Sequence, residues 1–181
     1  MDDEMVDAED FEVYLELARA LLGGHEAPSD LWEANEYVNM ALRMRPGAVD
    51  AWILKSQILS SLEDDPAALA AAEMAVRGRP ARSEPRYVRA AVLADMGRHV
   101  DALAGIEDAL RYAGHDDDWL LEDLFYEKAA ILDAMDRPDE AMTVLEAGLD
   151  RCPDSSLLRA GLEPLRRHRL RRELKVIDGG R

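Results

Sequence analysis

Four alanines constrain this chain more than any other feature. Ala34, Ala68 and Ala102 stand 34 residues apart, and Ala141 follows after 39. A second series lies seven residues behind: Ala41, Ala75, Ala109 and Gly148. A third lies twelve behind: Pro46, Pro80, Gly114 and Pro153. Three series in register, sharing one slip of five residues, mark a repeated unit. Units of this length are helix pairs that stack, each covering the apolar face of its neighbour.

The stretches between the marks read as helices. Ala, Leu, Glu, Arg and Met are common and favour helix, Val, Ile and Thr are few, and nothing alternates with period two. An all-α fold follows. The first helix is expected from about Glu9 to Leu22, with Phe11, Tyr14, Leu15, Ala18, Leu21 and Leu22 on one face. Gly23-Gly24 ends it, and Ser29 or Asp30 caps the next. Asp64-Asp65-Pro66, Gly97 and Asp136-Arg137-Pro138-Asp139 read as turns inside later pairs. The five extra residues fall at Gly114 to Asp118, where the aspartates sit ready to cap a helix that runs on to Met135. Leu158, Leu162 and Leu165 form a last apolar face, and Pro164 is expected to kink that helix or start another. The expected organisation is an acidic tail over 1–9, four repeats (10–48, 49–82, 83–116 and 117–155), a basic capping helix over 156–175 and a disordered tail over 176–181.

Charge and cysteine narrow the function classes. The net charge is −16, from 38 acids and 22 bases, of which three are lysines. Residues 1–155 carry −21 and residues 156–181 carry +5. So acidic a body repels nucleic acid and anionic lipid and attracts basic protein; plain solubility or compositional bias would give the same total. Cys152 stands alone, so no internal disulfide forms, and the start of the chain has neither the basic nor the apolar region of a secretory signal. No window is apolar enough to span a membrane. A cytoplasmic location is expected. His25, His99, His115 and His168 are scattered, and there is no phosphate-binding glycine loop and no HExxH. His115 and the aspartates after it are explained by capping rather than metal. No enzyme, cofactor or metal is expected.

The second helices read Ala34-x3-Val38-x2-Ala41-x4-Pro46, Ala68-x3-Ala72-x2-Ala75-x4-Pro80, Ala102-x3-Ile106-x2-Ala109-x4-Gly114 and Ala141-x3-Leu145-x2-Gly148-x4-Pro153. Ala18, Ser56, Ala90 and Ala129 hold a small slot on the first helices; Tyr14, Trp52, Phe125 and, less well, Arg86 hold an aromatic one. This pattern resembles the tetratricopeptide repeat (TPR) family over about residues 10–155. The glycine usual in the small slot is absent. The resemblance implies a right-handed superhelical solenoid of about four helix pairs with a C-terminal capping helix, whose first helices line a concave groove for a partner protein.

Carried into this chain, the groove slots hold Glu12, Leu15 and Arg19, then Asp50, Ile53, Gln57 and Ser60, then Glu84, Tyr87, Ala91 and Asp95, then Asp123, Tyr126, Ala130 and Asp133. Some family members clamp a C-terminal carboxylate with basic residues. Here the matching slots hold Leu15, Arg19, Leu54, Glu84 and Val88, and only Arg19 suits an anion. The expected ligand is a basic or amphipathic segment of another protein; the alternative is that these are ordinary solvated acids. Tyr87 and Tyr126 occupy equivalent slots and serve either as binding anchors or as packing between helices. In the tail, Arg166, Arg167, Arg169, Arg171 and Arg172 can touch RNA, a membrane or a partner, dock on the acidic body of their own or a second copy, or complement their own helix dipole. The functional expectation is a non-enzymatic adaptor, scaffold or chaperone. A secretion-type chaperone and a homo-oligomer built through the basic helix are the alternatives, and nucleic acid is disfavoured.

Overall fold

The computed structural model describes residues 2–24 and 27–178, with side chains at 10–24, 27–114 and 117–171. Among the described residues nine α-helices follow one another: α1 (Asp2–Gly24), α2 (Pro28–Met44), α3 (Val49–Ser61), α4 (Asp65–Gly78), α5 (Ser83–Asp95), α6 (His99–Tyr112), α7 (Leu121–Ala134), α8 (Pro138–Arg151) and α9 (Ser156–Asp178). A 3₁₀ turn over His115–Leu120 joins α6 to α7, and no strand occurs among the described residues. Each helix packs on the next, and α1, α3, α5, α7 and α9 also touch in turn. The odd-numbered helices therefore make one continuous wall, with the even-numbered helices behind it.

The alanine ladder is the packing surface of that stack. Ala34, Ala41, Ala68, Ala75, Ala102, Ala109 and Ala141 are all fully buried. A Cβ at Gly148 would lie 2.9 Å from both Phe125 and Leu158. At such contacts an added methylene forces repacking, at about 1–3 kcal/mol. Val38, Ile58, Ile106 and Leu145 fill the space between the small residues. Two hydroxyls are buried among them and satisfied by backbone: Ser56 Oγ donates to the Ala68 carbonyl and Ser83 Oγ to the Ala109 carbonyl, both at 2.9 Å.

Three turns from odd to even helices repeat the same geometry. Glu63, Gly97 and Asp136 all take positive φ (60°, 72° and 57°). Behind each, the amides of Asp64, Arg98 and Arg137 reach back to the carbonyls of Leu59, Leu93 and Leu132. This is the left-handed helix ending that glycine favours, and only Gly97 meets it without steric cost.

Several boundaries differ from the sequence expectation. The first helix begins at Asp2 rather than near Glu9, since nothing in residues 2–9 breaks a helix and acids complement its N-terminus. Helix α2 begins at Pro28, whose fixed φ suits the first helical position. Ser29 and Asp30 therefore lie inside the first turn, and the Asp30 carboxylate accepts the Ala27 amide at 3.1 Å. Helix α7 starts at Leu121, because the five-residue insertion is taken up by the 3₁₀ turn. Asp117 in that turn is 4% exposed instead of solvated; it accepts the Gly114 amide and lies 3.6 Å from Arg82. Helix α9 runs through Pro164 without interruption and reaches Asp178, so residues 176–178 are helical; 179–181 lie outside the described residues. Its first half closes the stack: Leu158 and Leu162 pack against Ala129, Leu132, Ala141 and Leu145.

Candidate partner-binding groove

Among the described residues, three hollows stand out on the wall of odd-numbered helices. The first, about 290 Å³, lies where α1, α3 and α5 meet, and Arg19, Asp50, Gln57 and Glu84 surround it. Ile53 forms its floor. Only 6% of it is exposed, and it packs with Val49, Ala72, Ala75 and Val88. The second, about 210 Å³, lies between α3 and α5 beside Tyr87 and Asp95; Ser60 Oγ donates to Asp95 at 3.2 Å. The third, about 520 Å³, lies between α7 and α9 and includes Tyr126, Ala130 and Asp133. The expected groove residues thus lie on this wall or at its floor, except Leu15, which is buried in the core with Ala34 and Val38, and Glu12, which is drawn to Arg45 after α2 at 3.7 Å.

Carboxylates predominate along α3, α5 and α7 of the wall. Glu84 is half-buried, and burial, then Asp50, push its carboxyl above the usual carboxylate range against the weaker pull of Arg82 and Arg19. Asp123 is pushed up by burial and by Glu122. Glu127, which the repeat register did not place in the groove, is pushed up by burial, Asp95 and Asp123. The same slot holds Leu54 and Val88 in the two preceding repeats, both core residues, so the ladder hides this acid. Tyr87 stands among Asp95, Asp123 and Glu127; burial first and those carboxylates next push its hydroxyl up to about 12. It also packs on two core clusters. Tyr126 is the more exposed of the two tyrosines, at 37%. Among the described residues, none of Asp50, Glu84, Asp95, Asp123, Glu127 and Asp133 forms a salt bridge.

Four cations of α3, α5 and α7 point elsewhere. Lys55 donates to Asn39 on α2 at 2.7 Å. Arg86 stacks on Tyr112 at the end of α6, 4.1 Å from the ring centre. The Arg89 guanidinium lies beside Gly105 of α6, and Lys128 pairs with Glu107 of α6 at 3.0 Å. Arg19 remains on the wall. Of the slots a carboxylate clamp would need, Leu15, Leu54 and Val88 are buried.

The tail arginines lie past the docked half of α9. Arg166 pairs with Glu146 of α8 at 2.9 Å, and Arg167 donates to the Glu163 carbonyl at 3.4 Å. Arg169 and Arg171 are exposed. The Arg172 side chain lies outside the described residues, as do His25 and the side chains of His115 and Asp116. Among the described residues no three His, Cys, Asp or Glu side chains gather as a metal site, and no helix is long and apolar enough to cross a membrane. Burial pushes the Cys152 thiol up, which lowers its thiolate fraction and its reactivity.

No family model matches this chain, and no curated protein sequence does. Solved structures do. PilF of Pseudomonas aeruginosa superposes with a TM-score of 0.74 at 15% identity, over 94% of this chain and 72% of that one. TTC0263, a thermophilic TPR protein of Thermus thermophilus, gives 0.66 at 19% identity over 90% and 93%. YrrB, described as a TPR protein with an unusual peptide-binding site, gives 0.58 at 20% identity over 71% of this chain and 63% of its own. The fold of this chain is the TPR fold.

Proposed function

We propose that this TPR-fold chain is a non-enzymatic, cytoplasmic protein-interaction module, an adaptor, scaffold or chaperone. Its concave wall receives a basic, partly apolar segment of another protein. One observation carries the reading: six carboxylates line the wall without a salt bridge among the described residues, while four cations on the same helices turn towards the even-numbered helices. Crowded acids that repel one another are relieved when a cation enters, so their cost in the free protein becomes part of the affinity for a basic partner. Tyr87 and Tyr126 supply amphipathic contact area beside the charge. The peptide-binding description of YrrB agrees with this use of the fold.

Capture from a lysate tests it, with wild type against the double variant Asp95→Asn and Asp123→Asn. The variant is expected to release basic partners at lower salt. Recovery of the same partners with the same salt tolerance would rule the groove out.

A second reading rests on the exposed Arg167, Arg169 and Arg171 of α9, opposite in sign to the body. Here the tail of one copy docks on the wall of another. Deleting residues 166–181 is then expected to lower the mass in solution, and an unchanged mass dismisses this assembly.

A further inference from the structure

We propose that the cavity between α7 and α9 is an anchor pocket for one arginine or lysine side chain of the partner segment. This rests on the interaction reading above and names the residue type that the C-terminal end of the groove selects. The cavity, about 520 Å³, is the largest of the three hollows on the wall and has room for a long side chain and the backbone that carries it.

Its lining has two chemistries. The floor is apolar, made by Ala129, Ala130, Leu145 and Leu165. At Gly161 the two helices come close, since a Cβ there would lie 3.1 Å from the Tyr126 ring. The polar groups are mainly acceptors. Asp133 and Asp136 bring two carboxylates. A third acceptor comes from the proline inside α9. Residue 164 has no N–H, so the carbonyl of Ala160 lacks the donor a helix would give it, and both residues line the cavity. His168 is the one basic group among the described lining residues. Arg166, the first arginine beyond the docked half of α9, is held by Glu146 of α8.

An apolar floor with acceptors at its edge fits a side chain with an aliphatic stem and a cationic, donor-rich head. Lysine and arginine are the two residues built that way. The exposed part of the Tyr126 ring adds a face on which a guanidinium can stack. The five donors of arginine can divide between the two carboxylates and the Ala160 carbonyl, which favours it over lysine.

The test uses the full chain with labelled alanine and leucine methyls. It is titrated with a blocked pentapeptide of alanine, leucine, arginine, leucine and alanine. Companion peptides carry lysine, citrulline or norleucine at the centre. The arginine and lysine peptides are expected to shift the methyls of Ala129, Ala130, Ala160 and Leu165. The citrulline and norleucine peptides are expected to bind about tenfold more weakly or worse. Asp133→Asn with Asp136→Asn should remove that difference. Ala130→Leu, at an exposed position, should block the pocket shifts while methyl signals elsewhere report an intact fold. Equal binding of the norleucine peptide would overturn the inference in favour of a purely apolar pocket. Shifts confined to methyls near Asp95 and Asp123 would overturn it while leaving the groove reading standing. Pocket shifts in the free protein that vanish on dilution or on deletion of residues 166–181 would also overturn it, since the occupant is then a second copy. No shift with any peptide overturns it whatever the lysate capture shows.

Discussion

On the even-numbered helices several acids have an arginine within a turn: Arg98 with Asp101 and Arg137 with Glu140, both at 2.6 Å, and Arg77 with Glu73 at 3.6 Å. On the odd-numbered wall six carboxylates stand without such a partner among the described residues. The two faces are made by alternating helices of the same repeats, yet they handle charge in opposite ways. A compositional bias towards acid would thin the arginines on both faces alike. Here the arginines are present and are spent on the back and at the helix ends. Exposed pairs of that kind add little stability each, so the contrast matters for what the wall attracts more than for what holds the stack together.

The largest effect should come from reversing charge on one face at a time. Asp95→Lys with Asp123→Lys is expected to weaken capture of a basic partner by more than about tenfold, about 1.4 kcal/mol. Glu73→Lys with Glu146→Lys on the back should leave capture within about twofold, a few tenths of a kcal/mol. Equal losses measured by calorimetry would erase the distinction between the faces.

A smaller effect concerns pH. Glu84, Asp123 and Glu127 have raised folded-state pKa values. The folded chain therefore binds more protons than the unfolded one between the ordinary and the raised values, and these groups lower stability above that window. Thermal unfolding should show the melting temperature rising as pH falls from neutral into the window. Glu127→Gln should stabilise the chain at neutral pH by about 0.5 kcal/mol, discounted for partial exposure. It should also flatten the pH profile. Glu140 on the back has the opposite sign, since the hydrogen bond from Arg137 lowers its pKa. Its stabilising effect is present at neutral pH and lost as pH falls through the folded value, so Glu140→Gln should not stabilise.

An effect of similar size, and independent of pH, lies in the turns joining wall to back. Glu63→Gly and Asp136→Gly should each stabilise by about 0.5 kcal/mol, the left-handed strain relieved less the extra freedom glycine gives the unfolded chain. Urea unfolding measures both. Gly97→Ala, the reverse change at the equivalent position, should destabilise.

The ladder made the stack legible because close helix packing demands small residues at fixed spacing, and Ala34, Ala68 and Ala102 satisfy that demand in sequence alone. The groove was legible in position and only partly in content. Periodicity places Asp50, Glu84 and Asp123 correctly on one wall but treats Ile53 like them, because a slot number does not say how deep a side chain sits. Glu127 was hidden for the reverse reason, standing where two earlier repeats bury Leu54 and Val88. The turning of Lys55, Arg86, Arg89 and Lys128 towards the even-numbered helices depends on partners 16 to 26 residues away or in the adjoining pair. No local pattern encodes that. Pro164 reads as a kink or a new start because helix propensity is local, whereas Leu158 and Leu162 hold the docked half of α9 against the stack.

The unpaired wall is the central claim, and the salt dependence of binding reads it most directly. The full chain is titrated calorimetrically with a twelve-residue peptide of alternating leucine and arginine, at about 50 and about 300 mM salt. Wild type should bind and lose about tenfold in affinity between the two conditions, while the Asp95→Asn and Asp123→Asn variant should bind weakly with a shallower dependence. Equal affinity and equal salt slope for the two proteins would contradict the claim that these carboxylates recognise the partner.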